Sequence, residues 1–295
     1  MVDLHAHTTA SDGSYAPRDL VELAKKRGLS AVGVTDHDTL GGWDEAVAAG
    51  AELGVEIVPG VELSTAYPGG RFHILGYYIA RESRLGDELR ELQRERANRN
   101  DIIIENLTRL GVPVTWEAVR SYAGPDGVIG RPHFARALMD AGHVSSTQEA
   151  FDRFLADGAP AYATKKVLTP AQAIALIHEA GGVAIWAHPT RSKDVSHTHL
   201  EARLRDLLEA GLDGLETYYA AYTPEEQAWC EQMARKYGIL GTGGSDFHGV
   251  SKPDIHLGRV RDGVGVPVGV LDALKAKRHR AVASQEAVPA LENTE

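Results

Sequence analysis

The sequence predicts an α/β fold, a barrel-like sheet of seven strands interrupted by a helical insertion. Short apolar segments alternate with amphipathic helical patterns over most of the 295 residues. The alternation stops between about residues 82 and 168, and it resumes at Val183. Because repeated strand-helix units are typical of parallel strands, we expect a largely parallel sheet that closes into a barrel.

Local signals justify each element. Seven short apolar segments predict the strands, in order MVDLH, LSAVGVTDH, VEIVPGVEL, RFHILGYYI, VAIWAHP, LDGLETYY and GILGTGGSD. The helix APRDLVELAKKRG has Pro17 in its first turn and Gly28 at its C-terminal cap. The helix GGWDEAVAAGAELG stops at Gly54, and PAQAIALIHEAGG and PEEQAWCEQMARKYG predict helices between later strands.

The interruption of this pattern predicts an insertion. Four consecutive segments have helical patterns without a strand between them: DELRELQRERANRNDIIIENLTRLG, TWEAVRSYAG, RPHFARALMDAG and TQEAFDRFLADG. We therefore divide the chain into a first barrel part (1–81), a helical insertion (82–168), a second barrel part (169–285) and a loose tail (286–295).

Composition excludes several classes of protein. A hydrophobic fraction of 43% suffices for a sizeable core, and 31 basic against 41 acidic residues give a formal charge of -10. This balance argues against binding of duplex DNA, although a small anion stays compatible because a metal supplies local positive charge. Cys230 is the single cysteine, which favours a reducing compartment. With no leader or membrane-spanning pattern recognised, we expect a cytoplasmic protein with no membrane partner, and its oligomeric state stays open.

Histidines and acids gather at the ends of the predicted strands. They follow five strand ends or lie within the fourth strand: His5, His7, Asp12, Asp36, His37, Glu62, His73, His188, Asp246 and His248. In barrels the chemistry is carried by the C-terminal ends of the strands. Imidazole and carboxylate together suit zinc, manganese or iron, whereas calcium sites are built of oxygen atoms. A single histidine near a strand end more often has a structural role. The repetition of such residues at five strand ends, however, predicts a multinuclear metal site.

These segments resemble the successive motifs of a known family. DLHAHTTASDG, TDHD, GVE, HILGY, AHP and GSDFHG are similar to the motifs of the PHP (polymerase and histidinol phosphatase) superfamily, in the same order. The resemblance covers residues 1 to about 80 and 183 to about 285. It implies a distorted (β/α)7 barrel. The chain is also similar to stand-alone bacterial members with a helical insertion, some of which are nucleoside 3',5'-bisphosphate phosphatases with 5'-to-3' exoribonuclease activity.

The resemblance implies two to three divalent ions, each with its own ligands. The implied groups are His5, His7, Glu62 and Asp246 for the first ion, Glu62 as a bridge with His73 and His188 for the second, and Asp12, His37 and His248 for the third. Asp12 stands where some relatives carry a histidine, which favours a harder ion such as manganese over zinc. Manganese is therefore the expected metal, with zinc and iron as alternatives. Asp36 and Asp38 are interpreted as supporting residues. The implied catalytic residues are Asp246, Glu62 and His188.

Charge favours a phosphate ester as the substrate. Three divalent ions with three carboxylates and a bridging hydroxide leave a net charge of about +2, which a phosphomonoester dianion neutralises. The hypothesis is attack of a metal-bound hydroxide on a phosphate ester of a nucleoside 3',5'-bisphosphate or a 5'-phosphorylated short RNA. The alternatives are a histidinol-phosphate-type phosphatase, another metal-dependent hydrolase such as an amidohydrolase, and a non-catalytic structural module.

Basic residues near the motifs are candidates for binding the substrate. Arg131 and His133 begin a predicted helix in the insertion, where backbone amides also favour anions. Lys165 and Lys166 precede the second barrel part, and Arg191 follows His188 by three residues. We expect Arg131, His133, Lys166 and Arg191 to hold a second phosphate or the next phosphodiester, with a solvated charged surface as the alternative.

Overall fold

The computed structural model describes residues 1–67, 70–125, 127–164, 166–191, 196–261 and 264–286. Lys165 and the predicted tail beyond residue 286 lie outside these residues. The seven predicted strands are present as β1 (Val2–Ala6), β2 (Ala31–Val34), β3 (Glu56–Tyr67), β4 (Gly70–Tyr77), β5 (Val183–Trp186), β6 (Gly214–Tyr219) and β7 (Leu240–Gly244).

The strands form one sheet that nearly closes on itself. They pair in chain order from β1 to β7, and four of these pairings are parallel. The segment after β7 returns to β1, where the amide of Asp246 donates to the carbonyl of His5 and the amide of His7 donates to the carbonyl of Phe247, both at 2.9 Å. The predicted seven-stranded barrel is therefore confirmed.

Strand β4 departs from the expected parallel order. It runs antiparallel to both β3 and β5. Only positions 68 and 69 separate β3 from β4, and so short a connection joins antiparallel strands, whereas a parallel crossover needs a dozen residues or more. The first half of β4 consequently lies beside the C-terminal half of β3, where His73 pairs with Ser64. This reversal brings His73 to the same end of the barrel as the C-terminal ends of its neighbours.

Helices cover the barrel and form the insertion. The described helices are α1 (Pro17–Lys26), α2 (Trp43–Leu53), α3 (Arg84–Arg109), α4 (Trp116–Arg120), α5 (Arg131–Asp140), α6 (Thr147–Ala150), α7 (Pro170–Glu179), α8 (His197–Glu209), α9 (Pro224–Tyr237) and α10 (Val268–Glu286). The last helix predicted in the insertion continues from α6 as a π-helical segment, Phe151–Leu155. In the described part of the chain, no helix has the length and apolarity to cross a bilayer.

The insertion has its own hydrophobic core. Its buried apolar residues run from Ile103 to Ala163 and include Phe134, which is fully buried. The barrel packs around separate groups of apolar residues, in one of which the Tyr77 hydroxyl donates to the carbonyl of Leu4 at 2.9 Å. The insertion therefore has a core distinct from that of the barrel, and the predicted domain boundaries stay a prediction.

Helix α3 connects the two cores across the end of the barrel. Leu85 in its first turn belongs to the barrel core, and Leu107 in its last turns belongs to the insertion core. Between them, the Gln93 amide donates to the carbonyl of Asp38 at 2.9 Å, and Arg96 contacts the Asp38 carboxylate. The insertion is thereby fastened to the loop that follows β2.

Candidate metal centre

All nine predicted ligand residues lie together at one end of the barrel. Strand β1 is buried along its whole length, so His5 within it and His7 just after it are both inaccessible to solvent. The end of β2 runs beside β3, where His37 and Glu62 form a parallel bridge. The side chains form three overlapping groups.

The first group consists of His5, His7, Glu62 and Asp246. The Nε2 atoms of His5 and His7 lie 3.2 Å apart, and Glu62 Oε2 lies 3.1 Å from the first and 3.0 Å from the second. Asp246 Oδ1 lies 3.6 and 3.3 Å from the same two atoms. Ligand atoms of a tetrahedral ion with bonds of about 2.1 Å are about 3.4 Å apart, so this group has the dimensions of such a site.

The second group forms around the other oxygen of Glu62. Glu62 Oε1 lies 2.7 Å from His73 Nδ1 and 2.9 Å from His188 Nε2, and these two nitrogens are 3.4 Å apart. The two carboxylate oxygens of Glu62 therefore face different groups, as a bridging ligand requires. His37 Nδ1 also approaches Glu62 Oε2, at 3.3 Å.

The third group consists of Asp12, His37 and His248, with His7 beside them. Asp12 Oδ1 lies 3.3 Å from His248 Nε2 and 3.8 Å from His7 Nδ1. The His7 ring lies between the first and third groups, with its centroid 4.1 Å from that of His248 and 4.5 Å from that of His37.

The residues present fit divalent cations. Among the described residues, the Nδ1 atoms of His7 and His37 are buried without a hydrogen-bond partner, a cost that an additional ligand relieves. His188 and Asp246 have φ angles of 32° and 58°, a region that strains side-chain-bearing residues and is found at functional sites. The imidazole and carboxylate donors are also those of zinc, manganese and iron.

The electrostatics of the groups also favour cations. Burial disfavours the charged carboxylate of Glu62 and raises its pKa. The imidazoles around it, beginning with His37 and His73, outweigh this effect and hold the pKa well below the usual range. Burial likewise opposes the protonation of His7, yet Asp246 and Glu62 outweigh it and raise the pKa of His7 to about 9. Burial lowers the pKa of His37 to about 3, which keeps that ring neutral, as metal ligation requires. The buried carboxylates therefore favour a positive charge beside them, which a divalent cation supplies when it replaces the proton of His7.

Glu216, which the sequence did not single out, holds two predicted ligands in position. The buried carboxylate of Glu216 lies 2.9 Å from His5 Nδ1 through Oε1, and its Oε2 accepts the backbone amide of His188 at 2.8 Å. An acid bonded to the second nitrogen of a ligating histidine fixes its ring and raises its basicity. The signal in the sequence is a single charged residue within the apolar strand β6.

Replacing Glu216 by glutamine is expected to weaken divalent-cation binding by about 10- to 100-fold, because His5 loses the charged partner that orients it. The measurement is the dissociation constant for Mn²⁺, obtained by calorimetric titration of the metal-depleted chain. Glu225→Gln, an exposed position of α9, is the matched control and should bind Mn²⁺ as the unaltered chain does. Equal affinity in the two variants would contradict this role for Glu216.

Other polar residues support Asp246 and the loop after β1. The Asp246 Oδ2 atom accepts the Tyr219 hydroxyl at 2.7 Å and lies 2.6 Å from Lys252 Nζ. Asp36 accepts both the backbone amide and the hydroxyl of Thr8, each at 2.8 Å. Asp36 therefore supports the loop, which agrees with its interpretation as a supporting residue.

A cavity of about 210 Å³ lies next to the second and third groups. Its lining includes three predicted ligand residues and four arginines: Asp12, His37, His73, Arg71, Arg96, Arg99 and Arg131. Arg96 and Arg99 are buried, and the Nε atom of each has no hydrogen-bond partner among the described residues. Burial, together with the nearby Arg96 and Arg131, lowers the pKa of Arg99 to about 9. Such crowded, desolvated positive charge is typical of an anion-binding site.

The four predicted substrate-binding residues lie in different places. Arg131 lines this cavity. His133 is buried, and its Nδ1 accepts the amide of Gly130 at the start of α5, where the ring caps the helix. Lys166 pairs with Glu88 at 3.0 Å and lines another cavity.

Arg191 completes this set, on the other side of the barrel end. It donates to the carbonyl of Ala221 at 3.2 Å, and its charge lies 3.8 Å from Glu226. The structure therefore brings Arg131 to the cavity and gives local partners to the other three residues. Arg71, Arg96 and Arg99 are the cavity arginines that sequence analysis missed.

Known proteins are similar to this chain in sequence and in architecture. The model of the PHP domain matches residues 3–125. A 5'-3' exoribonuclease of Haemophilus influenzae is 35% identical over 249 residues, which cover 83% of this chain and 89% of that protein. A 3',5'-nucleoside bisphosphate phosphatase of Chromobacterium violaceum is 30% identical over 262 residues, covering 88% and 92%.

A solved structure is also similar to this chain. The crystal structure of a proposed metal-dependent phosphoesterase from Bifidobacterium adolescentis matches 94% of this chain and 96% of its own, with 31% identity and a TM-score of 0.82. The resemblance stated from the motifs is thereby confirmed. The chain belongs to the PHP family of metal-dependent phosphoesterases and is a hydrolase of phosphate esters.

Proposed function

We propose that the chain hydrolyses a phosphate ester of a nucleotide that carries a second phosphate, either a nucleoside 3',5'-bisphosphate or a 5'-phosphorylated short RNA. One observation carries the proposal: predicted metal ligands and four arginines line the same cavity. The ligand groups suit the reacting phosphate, and the arginines suit a second one, because guanidinium groups bind phosphate oxygens in pairs. The activities named for the relatives from H. influenzae and C. violaceum support the same substrates.

The charge of the cavity supports a dianion as the second group. Asp38 pairs with Arg96, and Asp157 contacts both Arg71 and Arg131. Among the described residues, these two carboxylates offset two of the four guanidinium charges and leave two for a dianion such as a phosphomonoester. An amide leaves them uncompensated, so we favour a nucleotide over an amidohydrolase substrate. Histidinol phosphate carries a single phosphate, so it occupies either the metal-ligand groups or the arginines, but not both.

The nine predicted ligand residues are proposed to hold two to three divalent ions, with Mn²⁺ the expected metal. When bound, divalent cations stabilise negative charge on a phosphoryl group and lower the pKa of water. Glu62 joins the first two groups, while Glu216 orients His5 and supports the backbone of His188. Tyr219 and Lys252 orient Asp246. These contacts support the assignment of Asp246, Glu62 and His188 as catalytic residues.

A second cavity favours short RNA as a further substrate. Its volume is about 220 Å³, and it shares Asp12, His37, Pro132 and Phe151 with the arginine-lined cavity. It adds two basic residues, Arg136 and Lys252. When the reacting phosphate of a substrate lies near Asp12 and His37, this second cavity leaves space for further nucleotides of the substrate. The basic residues of this cavity suit the backbone of a single strand, and we propose no role for duplex DNA.

The proposal predicts a preference for substrates with two phosphates. After metal removal and reloading with Mn²⁺ or Zn²⁺, kcat/KM for a nucleoside 3',5'-bisphosphate should exceed that for the nucleoside 3'-monophosphate by about 100-fold. The basis is that charge-assisted hydrogen bonds contribute about 1.5–3 kcal/mol each. Phosphate release is measured beside elemental analysis, with 5'-phosphorylated trinucleotides, histidinol phosphate and amides in the same series. Hydrolysis of histidinol phosphate or of an amide in preference to every nucleotide would refute the proposal.

A further inference from the structure

An aspartate of the insertion occupies the space between two cavity arginines. Asp157 Oδ2 lies 3.1 Å from Arg71 Nε, and Asp157 Oδ1 lies 2.6 Å from Arg131 Nη1. Arg71 belongs to strand β4 of the barrel, and Arg131 begins helix α5 of the insertion. The carboxylate thus joins two arginines from the two parts of the chain, in the manner in which a phosphate would bridge them.

The two arginines have other contacts that hold them in place. Arg131 donates to the carbonyl of Leu155 at 2.9 Å, and its guanidinium carbon lies 5.4 Å from the centre of the Tyr162 ring. Arg71 donates to the Tyr162 hydroxyl and also lies over that ring, at 5.8 Å. Both guanidinium groups therefore keep their positions when the Asp157 carboxylate leaves.

Asp157 itself is free to move outwards. Half of its side chain is exposed, and it lies in the turn after the π-helical segment, next to Gly158, whose φ is +84°. The two ion pairs are partly exposed, with 33% of the Arg71 side chain and 22% of the Arg131 side chain accessible, so water and salt offset part of their loss. Rotation of this side chain into solvent therefore exchanges the two ion pairs for contacts with water.

We propose that Asp157 is a specificity-determining residue that competes with the second phosphate of the substrate for Arg71 and Arg131. The inference rests on the proposed function of this cavity. Any anion at this position displaces the carboxylate first, so a terminal phosphate and an internal phosphodiester are weakened by the same factor, whereas a substrate without a phosphate there is unaffected. Asp157 thus reduces the preference of the enzyme for substrates with a second phosphate.

Replacing Asp157 by asparagine tests the competition. The KM for a nucleoside 3',5'-bisphosphate should fall about threefold to tenfold, and the KM for the same compound with its 5'-phosphate as a methyl diester should fall by the same factor. The preference for the bisphosphate over the nucleoside 3'-monophosphate should accordingly increase. Calorimetric titration of the Mn²⁺-loaded enzyme with sulfate, at fixed ionic strength, should show tighter binding in the variant than in the unaltered chain.

The matched control is Asp152→Asn. Asp152 is an exposed acid of the same segment that accepts the side chain of Gln148 at 2.8 Å, so its replacement removes the same charge away from the two arginines. This control should keep both KM values and the sulfate affinity.

Three outcomes overturn the inference. A rise in KM or weaker sulfate binding in Asp157→Asn means that Asp157 orients the arginines instead of competing. Unchanged KM values in a chain that hydrolyses bisphosphates reject the competition and leave the proposed function intact. If the unaltered chain hydrolyses no nucleotide, the proposed function fails. In that case, equal sulfate affinity in the unaltered chain and in Asp157→Asn rejects the competition independently.

Discussion

Replacing Glu62 by glutamine is expected to lower kcat/KM by about 1,000-fold or more and to reduce the metal content of the purified chain. Glu62 is buried, and its two oxygens face different ligand groups at 2.7 to 3.1 Å. Glutamine keeps the size of the side chain but removes its charge and one of the two acceptor oxygens. Without that charge, the site stabilises the transition state less by about 4 kcal/mol or more.

The measurements are phosphate release, elemental analysis and far-UV circular dichroism on the same preparation. Glu56→Gln is the control, because Glu56 lies on the same strand and pairs with Lys275 at 2.7 Å, away from the ligand groups. That control should retain metal content and turnover. A Glu62→Gln chain with the full complement of metal and with normal turnover would show that Glu62 is not a bridging ligand.

Replacing Arg99 by methionine is expected to lower activity and raise stability together. Arg99 is buried, and its Nε has no hydrogen-bond partner among the described residues. Methionine removes a desolvated charge at similar length, a change that often stabilises a fold by about 1–4 kcal/mol. The same change removes charge-assisted hydrogen bonds to a phosphate, which contribute about 1.5–3 kcal/mol each, so kcat/KM for the bisphosphate should fall about 10- to 100-fold.

The stability effect is measured as the melting temperature, which should rise by several degrees, since about 1 kcal/mol corresponds to about 2–4 °C in a large domain. Arg94→Met is the control, because Arg94 is an exposed residue of the same helix whose Nε donates to Glu91 at 3.0 Å. A lower melting temperature for Arg99→Met would identify Arg99 as a structural residue. An unchanged kcat/KM would exclude it from the binding of substrate.

The ligand residues were predictable because the fold gives them a common location. The carboxyl ends of barrel strands meet at one end, so side chains far apart in the chain, such as His7 and Asp246, are expected together from strand positions alone. The reversal of β4 was missed, although the two positions between β3 and β4 specify it. His73 still reaches the site because the reversed strand begins at that end.

The proposed substrate-binding residues were less predictable, because their location depends on how the insertion packs. Arg96 and Arg99 are three residues apart and share a helix face, but in a helix rich in arginine and glutamate this face is indistinguishable from one in solvent. Lys166 is near the barrel in sequence, yet Glu88 holds it elsewhere. Charge and sequence proximity therefore identified Arg131 alone among the cavity arginines.

The separate hydrophobic core of the insertion has an evolutionary consequence. The predicted metal ligands belong to the barrel, whereas Arg131 and Asp157 belong to a unit with its own packing. Substitutions within that unit are therefore expected to change which molecules bind without moving the strand ends that carry the predicted ligands. A hydrolase built in this way can acquire a new substrate through changes in about a third of its length.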